Sequence, residues 1–532
     1  MEQGYSKLSA AIAASILLAA ASTSAWSAEL RTSRKPIQGQ YIVVMKPEAA
    51  SLAGERSRAA RIGTVAQTLA TDHRAKLVRT YQSALRGFVV RADDAALAKL
   101  LADPRVAYVE EDGMAQMNPT QSGATWGIDR IDQRALPLDA SYTYDVTGAG
   151  VHAYIVDSGI NTAHSEFAGR VGNGADFIGG GVNDCNGHGT HVAGTVAGTT
   201  WGVAKSAIVH PVRVFGCSGG SAWSTIIAGI DWVATNRQLP AVANMSLGGA
   251  GNTSVDAAVE NLINSGVTVV VAAGNDAGDA CAKSPARVRR ALTVGSIDIG
   301  GSRSSFSNYG TCVDLFAPGG SITSAWYTSN TASAVLSGTS MASPHVAGTA
   351  ALFLQTNPGA GTGEVVSTVV GKSTPGVVGN AGPASPNHLL FSRLSTTPRA
   401  ALFRYVGYSG HFYTMNWNEL SAAGFGGWTY EGVAGYLVSS NAANTAPLYR
   451  YQGTGHFYTT NWAELGAGGN GWNYEGVAGY VPTIATAQTA NLYRYVNGIS
   501  GSHFYTTNWG ELGAGGNGWN YEGVQSQIWT QP

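Results

Sequence analysis

Short apolar runs in the middle of the chain set the strongest limit on how it can fold. A strand with one solvated face alternates apolar and polar residues, whereas these runs are nearly unbroken, as in strands buried on both faces. Helical stretches separate them, which predicts an α/β domain with a mainly parallel sheet and helices packed on both sides. The runs occupy residues 151–156, 207–212, 242–247 and 267–272, and the predicted domain spans residues 119–394.

The last quarter of the chain repeats itself. The tetrapeptide His-Phe-Tyr-Thr begins at His411, His456 and His503, and each copy also contains Leu-x-Arg-Tyr, Asn-Trp, Gly-Trp and Tyr-Glu-Gly-Val. Copies of one aromatic, turn-rich unit predict an all-β repeat domain over residues 401–532, which could close as a trefoil-like fold. Residues 395–400 are the predicted linker.

A small α+β unit is predicted ahead of the α/β domain, over residues 37–118. Its strands are rich in β-branched residues, and its helices are rich in Ala. The strands are expected at 39–47, 87–90 and 106–109, and the helices at about 49–73 and 93–102.

The first residues are typical of an export signal. Lys7 precedes an apolar run over residues 8–21, and a cluster of small residues follows it, so cleavage after Ala25 or Ser27 is expected. The run is too short to span a bilayer. Its position and Ala-rich character disfavour the alternative, a buried helix of the mature protein. We therefore expect a signal peptide over residues 1–27 and a secreted, extracellular product.

The composition excludes two classes of partner. Charged residues make up 12% of the chain, the net charge is −1, and Lys and Arg form no cluster. Nucleic acid and anionic membrane surfaces bind proteins mainly through such clusters, so neither is an expected partner. A monomer is expected.

Four cysteines suit an oxidising compartment, where an even set usually pairs. The sequence alone permits three different pairings. The Cys-x-x-Cys spacing of zinc and redox sites does not occur, which makes thiolate ligation of a metal the weaker alternative.

Three short motifs lie where parallel sheets place their functional residues. Asp157 ends a predicted strand before Ser-Gly, His188 opens a predicted helix in Gly-His-Gly-Thr-His, and Ser340 opens another in Gly-Thr-Ser-Met-Ala. Each has an ordinary alternative when taken alone: a turn residue, a zinc ligand together with His191, and a helix cap. The zinc alternative lacks the Glu of His-Glu-x-x-His.

Together, the three motifs supply a carboxylate, an imidazole and a hydroxyl. A serine hydroxyl becomes a good nucleophile when an imidazole takes its proton, and that imidazole needs a carboxylate to orient it. The combination predicts nucleophilic catalysis by Ser340, with His188 as base and Asp157 as orienting acid.

Residues 126–394 resemble the catalytic domain of the subtilisin-like serine proteases (peptidase S8), within them the proteinase K and aqualysin group. The resemblance rests on the Asp157, His188 and Ser340 motifs, whose type, order and spacing match. It implies a three-layer subtilisin-like fold and an endopeptidase that needs no cofactor for catalysis. Residues 37–118 resemble the ferredoxin-like, I9-type inhibitor propeptides of this family, which implies inhibition by the chain's own propeptide and self-cleavage near Asn118.

The resemblance also implies an oxyanion donor and a substrate cleft. The side-chain amide of Asn275 would act with the backbone N–H of Ser340, and the substrate would lie extended between two chain edges. Because the walls of the P1 pocket contain no acid, broad cleavage after apolar or aromatic residues is expected. The implied substrate-binding residues are Ser246, Leu247, Gly248, Gly219, Gly220, Trp223, Ala273 and Gly274.

Two further structural features follow from the same resemblance. The implied disulfides are Cys185–Cys217 and Cys281–Cys312. Structural Ca²⁺ is implied at two sets of oxygen ligands. The first set is Asp314 with the carbonyls of Arg289 and Ala291, and the second is Asp129, Asp132, Gln133 and Asp139.

The repeats leave two interpretations open. Their Trp and Tyr residues could bind polysaccharide or insoluble protein, or they could simply fill the core of each repeat. A rival hypothesis for the whole chain is a surface-binding repeat protein with an inactive protease-like domain, against which the intact set of motifs argues.

Overall fold

The structure is a computed structural model of the chain. Three predicted segments lie outside the described residues. They are the signal peptide, residues 114–118 before the processing site, and residues 395–398 of the linker. No helix within the described residues is long and apolar enough to cross a membrane. The structure describes residues 28–33, 36–47, 58–81, 84–113, 119–394, 399–422, 424, 426–442 and 444–532.

The chain divides into two units, Met1–Met117 and Asn118–Pro532. The first is the predicted α+β unit, with a sheet in the order β1-β5-β2-β4-β3. Strand β2 pairs antiparallel with β4 and β5. Apolar residues such as Ile62, Leu69 and Phe88 form the core of this unit. Its elements are β1 (Glu29–Arg31), β2 (Pro36–Met45), α1 (Arg58–Asp72), β3 (Lys76–Tyr81), β4 (Gly87–Arg91), α2 (Asp94–Ala102) and β5 (Val106–Gly113).

The second unit begins with the α/β domain, whose nine-stranded sheet has the order β19-β20-β16-β15-β13-β11-β8-β10-β9. Its central strands pair in parallel, which confirms the mainly parallel fold. The strands are β6 (Thr120–Ser122), β7 (Ser141–Thr143), β8 (His152–Asp157), β9 (Ala175–Asp176), β10 (Ile208–Arg213), β11 (Ala241–Met245), β12 (Gly249–Ala250), β13 (Thr268–Ala272), β14 (Lys283–Ser284), β15 (Leu292–Ile297), β16 (Leu315–Pro318), β17 (Ile322–Ala325), β18 (Ser333–Leu336), β19 (Thr374–Pro375) and β20 (His388–Leu389). The helices are α3 (Trp126–Asp132), α4 (His188–Ala197), α5 (Trp223–Asn236), α6 (Thr253–Asn264), α7 (Thr339–Thr356) and α8 (Thr362–Lys372).

Successive side chains of the central strands enter opposite cores. On β8, Ile155 packs in the core that holds α4, α7 and α8, whereas Tyr154 and Val156 pack in the core that holds α5 and α6. The unbroken apolar runs therefore reflect burial on both faces of the sheet.

The repeat domain is all-β, as predicted. Each repeat is built on a strand that pairs antiparallel with two later strands, and β23 links the repeats by pairing with β27 and β31. Repeat 1 comprises β21 (Arg399–Gly407), β22 (Gly410–Thr414) and β23 (Thr429–Val438). Repeat 2 comprises β24 (Thr445–Gln452), β25 (His456–Thr459), β26 (Gly468–Gly469) and β27 (Trp472–Pro482), and repeat 3 comprises β28 (Thr489–Asn497), β29 (His503–Thr506), β30 (Gly515–Gly516) and β31 (Trp519–Trp529).

Three equivalent tyrosines close the repeats into a ring. The hydroxyl of Tyr413 donates to the Tyr505 carbonyl at 2.6 Å, that of Tyr505 to the Tyr458 carbonyl at 2.7 Å, and that of Tyr458 to the Tyr413 carbonyl at 2.6 Å. Each hydroxyl also accepts a backbone N–H from another member of the ring at 2.8 Å. All three side chains are buried.

Ion pairs reinforce the same closure. One arginine of each repeat pairs with a glutamate of its own repeat and with a glutamate of a neighbouring repeat. Arg404 of repeat 1 pairs with Glu511 of repeat 3, so the network runs around the whole ring. The sets are Arg404 with Glu431 and Glu511, Arg450 with Glu475 and Glu419, and Arg494 with Glu522 and Glu464.

Repeat 1 shares a hydrophobic core with the α/β domain. Phe403, Tyr405 and Trp417 belong to the same cluster of buried residues as α7 and α8. The hydroxyl of Tyr430 also lies 2.8 Å from Nε2 of His388, on β20. The repeat domain is therefore packed against the α/β domain.

Candidate active site

Three neighbouring parallel strands, β8, β11 and β13, bring polar residues to one edge of the sheet. Asp157 is the last residue of β8, Ser246 directly follows β11, and Asn275 lies three residues after β13. These strands are adjacent in the sheet and point the same way. The carboxyl ends of parallel strands are where α/β sheets build their sites.

His188 is the first residue of α4 and faces the Asp157 carboxylate. Its Nδ1 lies 2.8 Å from Oδ1 and 3.0 Å from Oδ2 of Asp157. Gly187, which precedes it, has φ 105°, a left-handed conformation that favours glycine. Trp326 lies so close that a Cβ at Gly187 would come within 2.4 Å of its ring. The turn that aims the imidazole thus needs glycine for two reasons.

The acid raises the basicity of this imidazole. Burial by itself lowers the pKa of His188, but the charge and hydrogen bond of Asp157, together with the charge of Asp184, outweigh burial and raise it above its usual value. A carboxylate at Nδ1 also leaves Nε2 as the nitrogen that can accept a proton.

Asp184 holds the loop before α4, a role that the sequence did not indicate. Its carboxylate accepts hydrogen bonds from the backbone N–H groups of Asn186, Gly187 and Thr190 and from the hydroxyl of Ser158. Because it is buried and fully bonded, Asp184 fixes the start of the helix that carries His188.

Ser340 is the second residue of α7, where Gly338 takes the capping position. The hydroxyl of Ser340 donates to the Ser246 carbonyl at 3.3 Å, whereas within the described residues it makes no hydrogen bond to His188. Catalytic hydrogen bonds are often long or misdirected in an enzyme without substrate. The hydroxyl of Ser246 in turn donates to the Ser340 carbonyl at 2.8 Å and so holds the start of α7 against β11.

Thr339 and Asn308 orient Asn275. Both the backbone N–H and the hydroxyl of Thr339 donate to Asn275 Oδ1 at 2.9 Å. In the described part of the chain the Nδ2 donors have no acceptor. That Nδ2 lies beside Gly338, two residues before Ser340. Buried Asn308 donates to the Ala273 carbonyl and thereby holds the loop that carries Asn275. A polar residue 33 positions further along the chain gives no sequence signal of this support.

His191 faces away from His188. Its Nε2 lies 3.0 Å from the Ile322 carbonyl and 3.2 Å from that of Ala334, both on the β17–β18 hairpin. The two histidines therefore do not converge on a common point.

Two cavities flank the Asp157–His188 pair and Ser340. The first, of about 240 Å³, is lined by Asp157, Ser158, Asn186, His188, Phe215, Gly219, Ser246, Leu247 and Gly248. The second, of about 400 Å³, is lined by Ser246, Leu247, Gly248, Gly249, Ala272, Ala273, Gly274, Asn275, Asp276, Lys283, Thr339 and Ser340.

The predicted substrate-binding residues reach these cavities unequally. Ser246, Leu247 and Gly248 line both cavities, and Ala273 and Gly274 line the larger one. Gly219 lines the smaller cavity, whereas neither lining includes Gly220 or Trp223. The Trp223 ring instead lies against the backbone of Gly249.

An ion pair in the larger cavity was not predicted. Nζ of Lys283 lies 2.7 Å from Oδ2 of Asp276. Both residues line the cavity, so its wall carries charged groups that neutralise each other.

The structure joins Cys185 to Cys217 and Cys281 to Cys312, the pairs that the resemblance implies. Cys185 lies between Asp184 and Asn186, whose side-chain amide donates to the Cys217 carbonyl at 2.9 Å. The first bridge therefore ties down the loop before His188.

In the first implied calcium set, the Asp314 carboxylate is hydrogen-bonded within the protein. Asp314 is buried, and both its carboxylate oxygens accept N–H donors, Oδ2 from the backbone of Thr293 at 2.8 Å and Oδ1 from the indole of Trp417 at 2.7 Å. With both oxygens engaged, this carboxylate is bonded as a structural group. Arg289 and Ala291 lie just before β15.

The second implied set fits a hard cation better. Asp129 and Asp132 are buried close to Asp139, and among the residues that the structure describes Oδ1 of Asp132 has no hydrogen-bond partner. Burial, and then the charges of Asp129 and Asp139, raise the pKa of Asp132 to about 6. The Gln133 amide donates to the carbonyls of Ala135 and Pro137, which are two further oxygens in the loop after α3. Carboxylate and carbonyl oxygens are the ligands that Ca²⁺ takes. Within the described residues, however, no three His, Cys, Asp or Glu side chains converge closely enough to hold a metal by themselves.

Comparison with known families agrees with this geometry. Residues 148–408 match the subtilase family and residues 40–118 match the peptidase inhibitor I9 family. Residues 401–529 match a domain of unknown function (DUF5648).

Individual relatives cover most of the first two regions. An extracellular serine proteinase of Thermus sp. (strain Rt41A) is 56% identical over 368 residues, which are 67% of this chain and 90% of the relative. Alkaline serine exoprotease A of Vibrio alginolyticus is 48% identical over 320 residues, 59% of each chain. The crystal structure of a cold-adapted subtilisin-like serine proteinase matches with a TM-score of 0.50 and 51% identity, covering 51% of this chain and 99% of that structure. The chain therefore belongs to the subtilase family of serine proteases.

Proposed function

We propose that the protein is a secreted serine endopeptidase that hydrolyses peptide bonds through an acyl-enzyme at Ser340. The observation that carries the proposal is the hydrogen-bonded pair of Asp157 and His188, which lines one cavity together with Ser246. The Ser246 carbonyl accepts the hydroxyl of Ser340 at the start of α7. The extracellular relative, together with the apolar N-terminal run of the sequence, supports secretion.

In this mechanism His188 moves one proton during acylation and a second proton during deacylation. Ser340 Oγ attacks the scissile carbonyl carbon while its proton passes to His188 Nε2, and the tetrahedral intermediate then expels the amine, which takes that proton. A water molecule, whose proton passes to the same nitrogen, attacks the acyl-enzyme carbonyl carbon. Ser340 Oγ then leaves, takes that proton from His188 and releases the acid. Asp157 holds the imidazole in place and stabilises its cation throughout.

The oxyanion would form between Asn275 Nδ2 and the backbone N–H of Ser340. First-turn N–H groups of a helix have no intrahelical acceptor, so the Ser340 N–H is available. Because Thr339 engages Oδ1 of Asn275, the amide presents its donors without reorganisation. Such preorganised donors stabilise the transition state more than the substrate.

Substrate specificity is proposed from the cavity of about 400 Å³. Leu247, Ala272 and Ala273 supply apolar walls, and the acidic Asp276 is neutralised by Lys283. Apolar and aromatic P1 residues therefore fit better than basic ones. The substrate backbone would pair with the chain at residues 219–220 and 246–248 by β-augmentation.

Self-maturation is proposed for the first unit. The match of residues 40–118 to the I9 inhibitor family supports a propeptide that inhibits the enzyme until it is cut near Asn118. Sequencing the N-terminus of the secreted protein tests this: the Ser340→Ala variant should keep residues 40–118, and the unsubstituted protein should lose them.

A structural calcium ion is proposed at Asp129, Asp132, Gln133 and Asp139. Because the pKa of Asp132 is about 6, its carboxylate is ionised at pH 8 and largely protonated at pH 5. Calcium should therefore raise the melting temperature of Ser340→Ala over EDTA at pH 8 and much less at pH 5. Asp132→Asn should abolish the shift, whereas Asp231→Asn, on the exposed surface of α5, should keep it. An unchanged shift in Asp132→Asn would rule the site out.

Active-site labelling separates the endopeptidase from an inactive protease-like protein. A fluorophosphonate should form an adduct on Ser340 of the mature protein and none on Ser340→Ala, while Ser254→Ala, on the exposed surface of α6, should label normally. Absence of the adduct, or undiminished casein cleavage by Ser340→Ala, would refute the proposal.

A further inference from the structure

Each repeat presents the same cluster of three aromatic side chains. A Trp from the turn after the His-Phe-Tyr-Thr strand lies 4.8–4.9 Å from a ring on the first strand of the repeat and 5.0–5.2 Å from a Tyr of the last strand, measured between ring centroids. We call these clusters aromatic triads. Aromatic triad 1 is Phe403, Trp417 and Tyr430, aromatic triad 2 is Tyr449, Trp462 and Tyr474, and aromatic triad 3 is Tyr493, Trp509 and Tyr521.

Aromatic triad 1 is covered by the α/β domain. Trp417 is 0% exposed, its indole N–H donates to Asp314 and its backbone N–H donates to the hydroxyl of Ser367 on α8. Helix α8 comes close to repeat 1 because small residues lie where they meet: a Cβ added at Gly371 of α8 would lie 2.8 Å from the Cβ of Ala401. The cover is thus a polypeptide with a glycine, a hydroxyl and a carboxylate.

Aromatic triads 2 and 3 have the same arrangement without a cover. Trp462 is 43% exposed and Trp509 is 42% exposed, and the neighbouring Val477 and Val524 are 41% and 47% exposed. The equivalent Val433 of repeat 1 packs against the shared core. Within the described residues, the indole N–H groups of Trp462 and Trp509 have no hydrogen-bond acceptor. Exposed aromatic clusters of this kind mark interaction sites.

Electrostatic attraction does not explain how aromatic triads 2 and 3 would bind a ligand. The sequence beyond residue 400 contains no lysine, and its arginines Arg404, Arg450 and Arg494 each pair with two glutamates. An acidic polymer would find no unpaired cation among them. Binding must therefore depend on apolar contact and on the free indole donors.

We propose that aromatic triads 2 and 3 are docking sites for protein substrate, which they bind as aromatic triad 1 binds the α/β domain. The fitting segment carries glycine or another small residue beside a hydroxyl or carboxylate that accepts the indole N–H. The ligand is expected to be a polypeptide because aromatic triad 1, the equivalent cluster of repeat 1, is covered by polypeptide of the α/β domain. The identity of that polypeptide as substrate rests on the proposed endopeptidase function.

Retention on immobilised gelatin tests the proposal, because gelatin is rich in glycine and carries hydroxyls and carboxylates. The full chain with Ser340→Ala should be retained without cleaving the matrix. Adding Trp462→Ala and Trp509→Ala should weaken binding about tenfold or more, as loss of aromatic anchors does. Phe at both positions should weaken it less, because the ring stays and only the N–H is lost.

The matched control is Tyr408→Ala, an aromatic residue of the same domain that is fully exposed and outside every aromatic triad. It should bind gelatin like the parent, and all variants should show the parent's circular dichroism and melting temperature. Undiminished retention of the Trp462→Ala, Trp509→Ala variant would overturn the proposal. Absence of retention of the parent would do the same, as would Trp-dependent retention on cellulose or chitin in place of gelatin. Hydrolysis of a small soluble peptide amide by the unsubstituted enzyme tests the endopeptidase function separately, since such a substrate does not need the docking sites.

Discussion

The indole N–H of Trp417 donates to Oδ1 of Asp314 at 2.7 Å, inside the core that repeat 1 shares with the α/β domain. Burial raises the pKa of this carboxyl to about 7, while the hydrogen bonds from Thr293 and Trp417 limit the rise. Asp314, which the resemblance implied to be a calcium ligand, thus joins the α/β domain to the repeat domain. The repeat domain is anchored through it and through α8.

Trp417→Phe should destabilise this unit by about 1–3 kcal/mol, the cost of losing one hydrogen bond to a buried polar group. Between pH ~4, where an unfolded Asp titrates, and about 7, folded Asp314 holds a proton that the unfolded chain releases. Its contribution to stability is therefore lost as the pH rises through this window. Because the Trp417 bond lowers this pKa, Trp417→Phe should extend the loss to higher pH. Urea unfolding of Ser340→Ala variants from pH 4 to 9 measures both effects.

Trp462→Phe is the matched control, since it alters the equivalent indole of repeat 2, which is exposed and unpaired within the described residues. It should change neither the free energy of unfolding nor its pH dependence. Equal effects of Trp417→Phe and Trp462→Phe would show that the Asp314 bond does not stabilise the unit.

The activity should rise with pH through the pKa of His188, because only the neutral imidazole accepts the Ser340 proton. Asp157 holds that pKa above its usual value, so Asp157→Asn should move the midpoint of the kcat/KM profile to lower pH. It should also lower kcat by about 10⁴, the loss that the same change causes in trypsin. Hydrolysis of a soluble peptide amide between pH 5 and 9 gives the profile. Asp231→Asn, on the exposed surface of α5, should leave it in place, and an unmoved midpoint in Asp157→Asn would contradict this role for Asp157.

Thr339 should act on catalysis through Asn275. Asn275→Ala removes the proposed oxyanion donor itself and should cost about 10²–10³ in kcat, as in subtilisin. Thr339→Val removes the hydroxyl that donates to Asn275 Oδ1 and accepts the Gly274 N–H at 3.1 Å. The loss of these two hydrogen bonds should lower kcat by at least about five- to tenfold with little change in KM. Thr339→Ser keeps the hydroxyl and should restore most of the rate. A change confined to KM, or failure of Ser to rescue, would show that Thr339 acts otherwise.

The sequence predicted those parts of the molecule that depend on local pattern. The apolar run at residues 151–156 became strand His152–Asp157 because both faces of that strand are buried, and burial on both faces is what removes polar residues from a strand. Asp157, His188 and Ser340 could be found because their neighbours form recognisable motifs. The three repeats could be found because the same short motifs recur in each of them.

Contacts between distant segments left no such pattern. Trp417 and Asp314 are 103 residues apart, and Trp417 lies between an Asn and a Glu in the same Asn-Trp-x-Glu pattern as its exposed equivalents Trp462 and Trp509. Only packing against α8 distinguishes the buried indole from the others. Asn308 and the Asp276–Lys283 pair likewise acquire their positions from loops that meet in three dimensions.

The tyrosine ring should be as important to the repeat domain as its symmetry suggests. In Tyr458→Phe, the Tyr413 backbone loses the acceptor of its N–H and the donor to its carbonyl, both inside the core. Each buried group left without a partner costs about 1–3 kcal/mol, so the repeat domain should unfold at clearly lower urea concentration. Tyr413→Phe and Tyr505→Phe break equivalent bonds and should behave alike, whereas Tyr408→Phe, whose ring is fully exposed, should match the parent. If Tyr458→Phe unfolds with the parent, the ring is a consequence of the fold and contributes little to its stability.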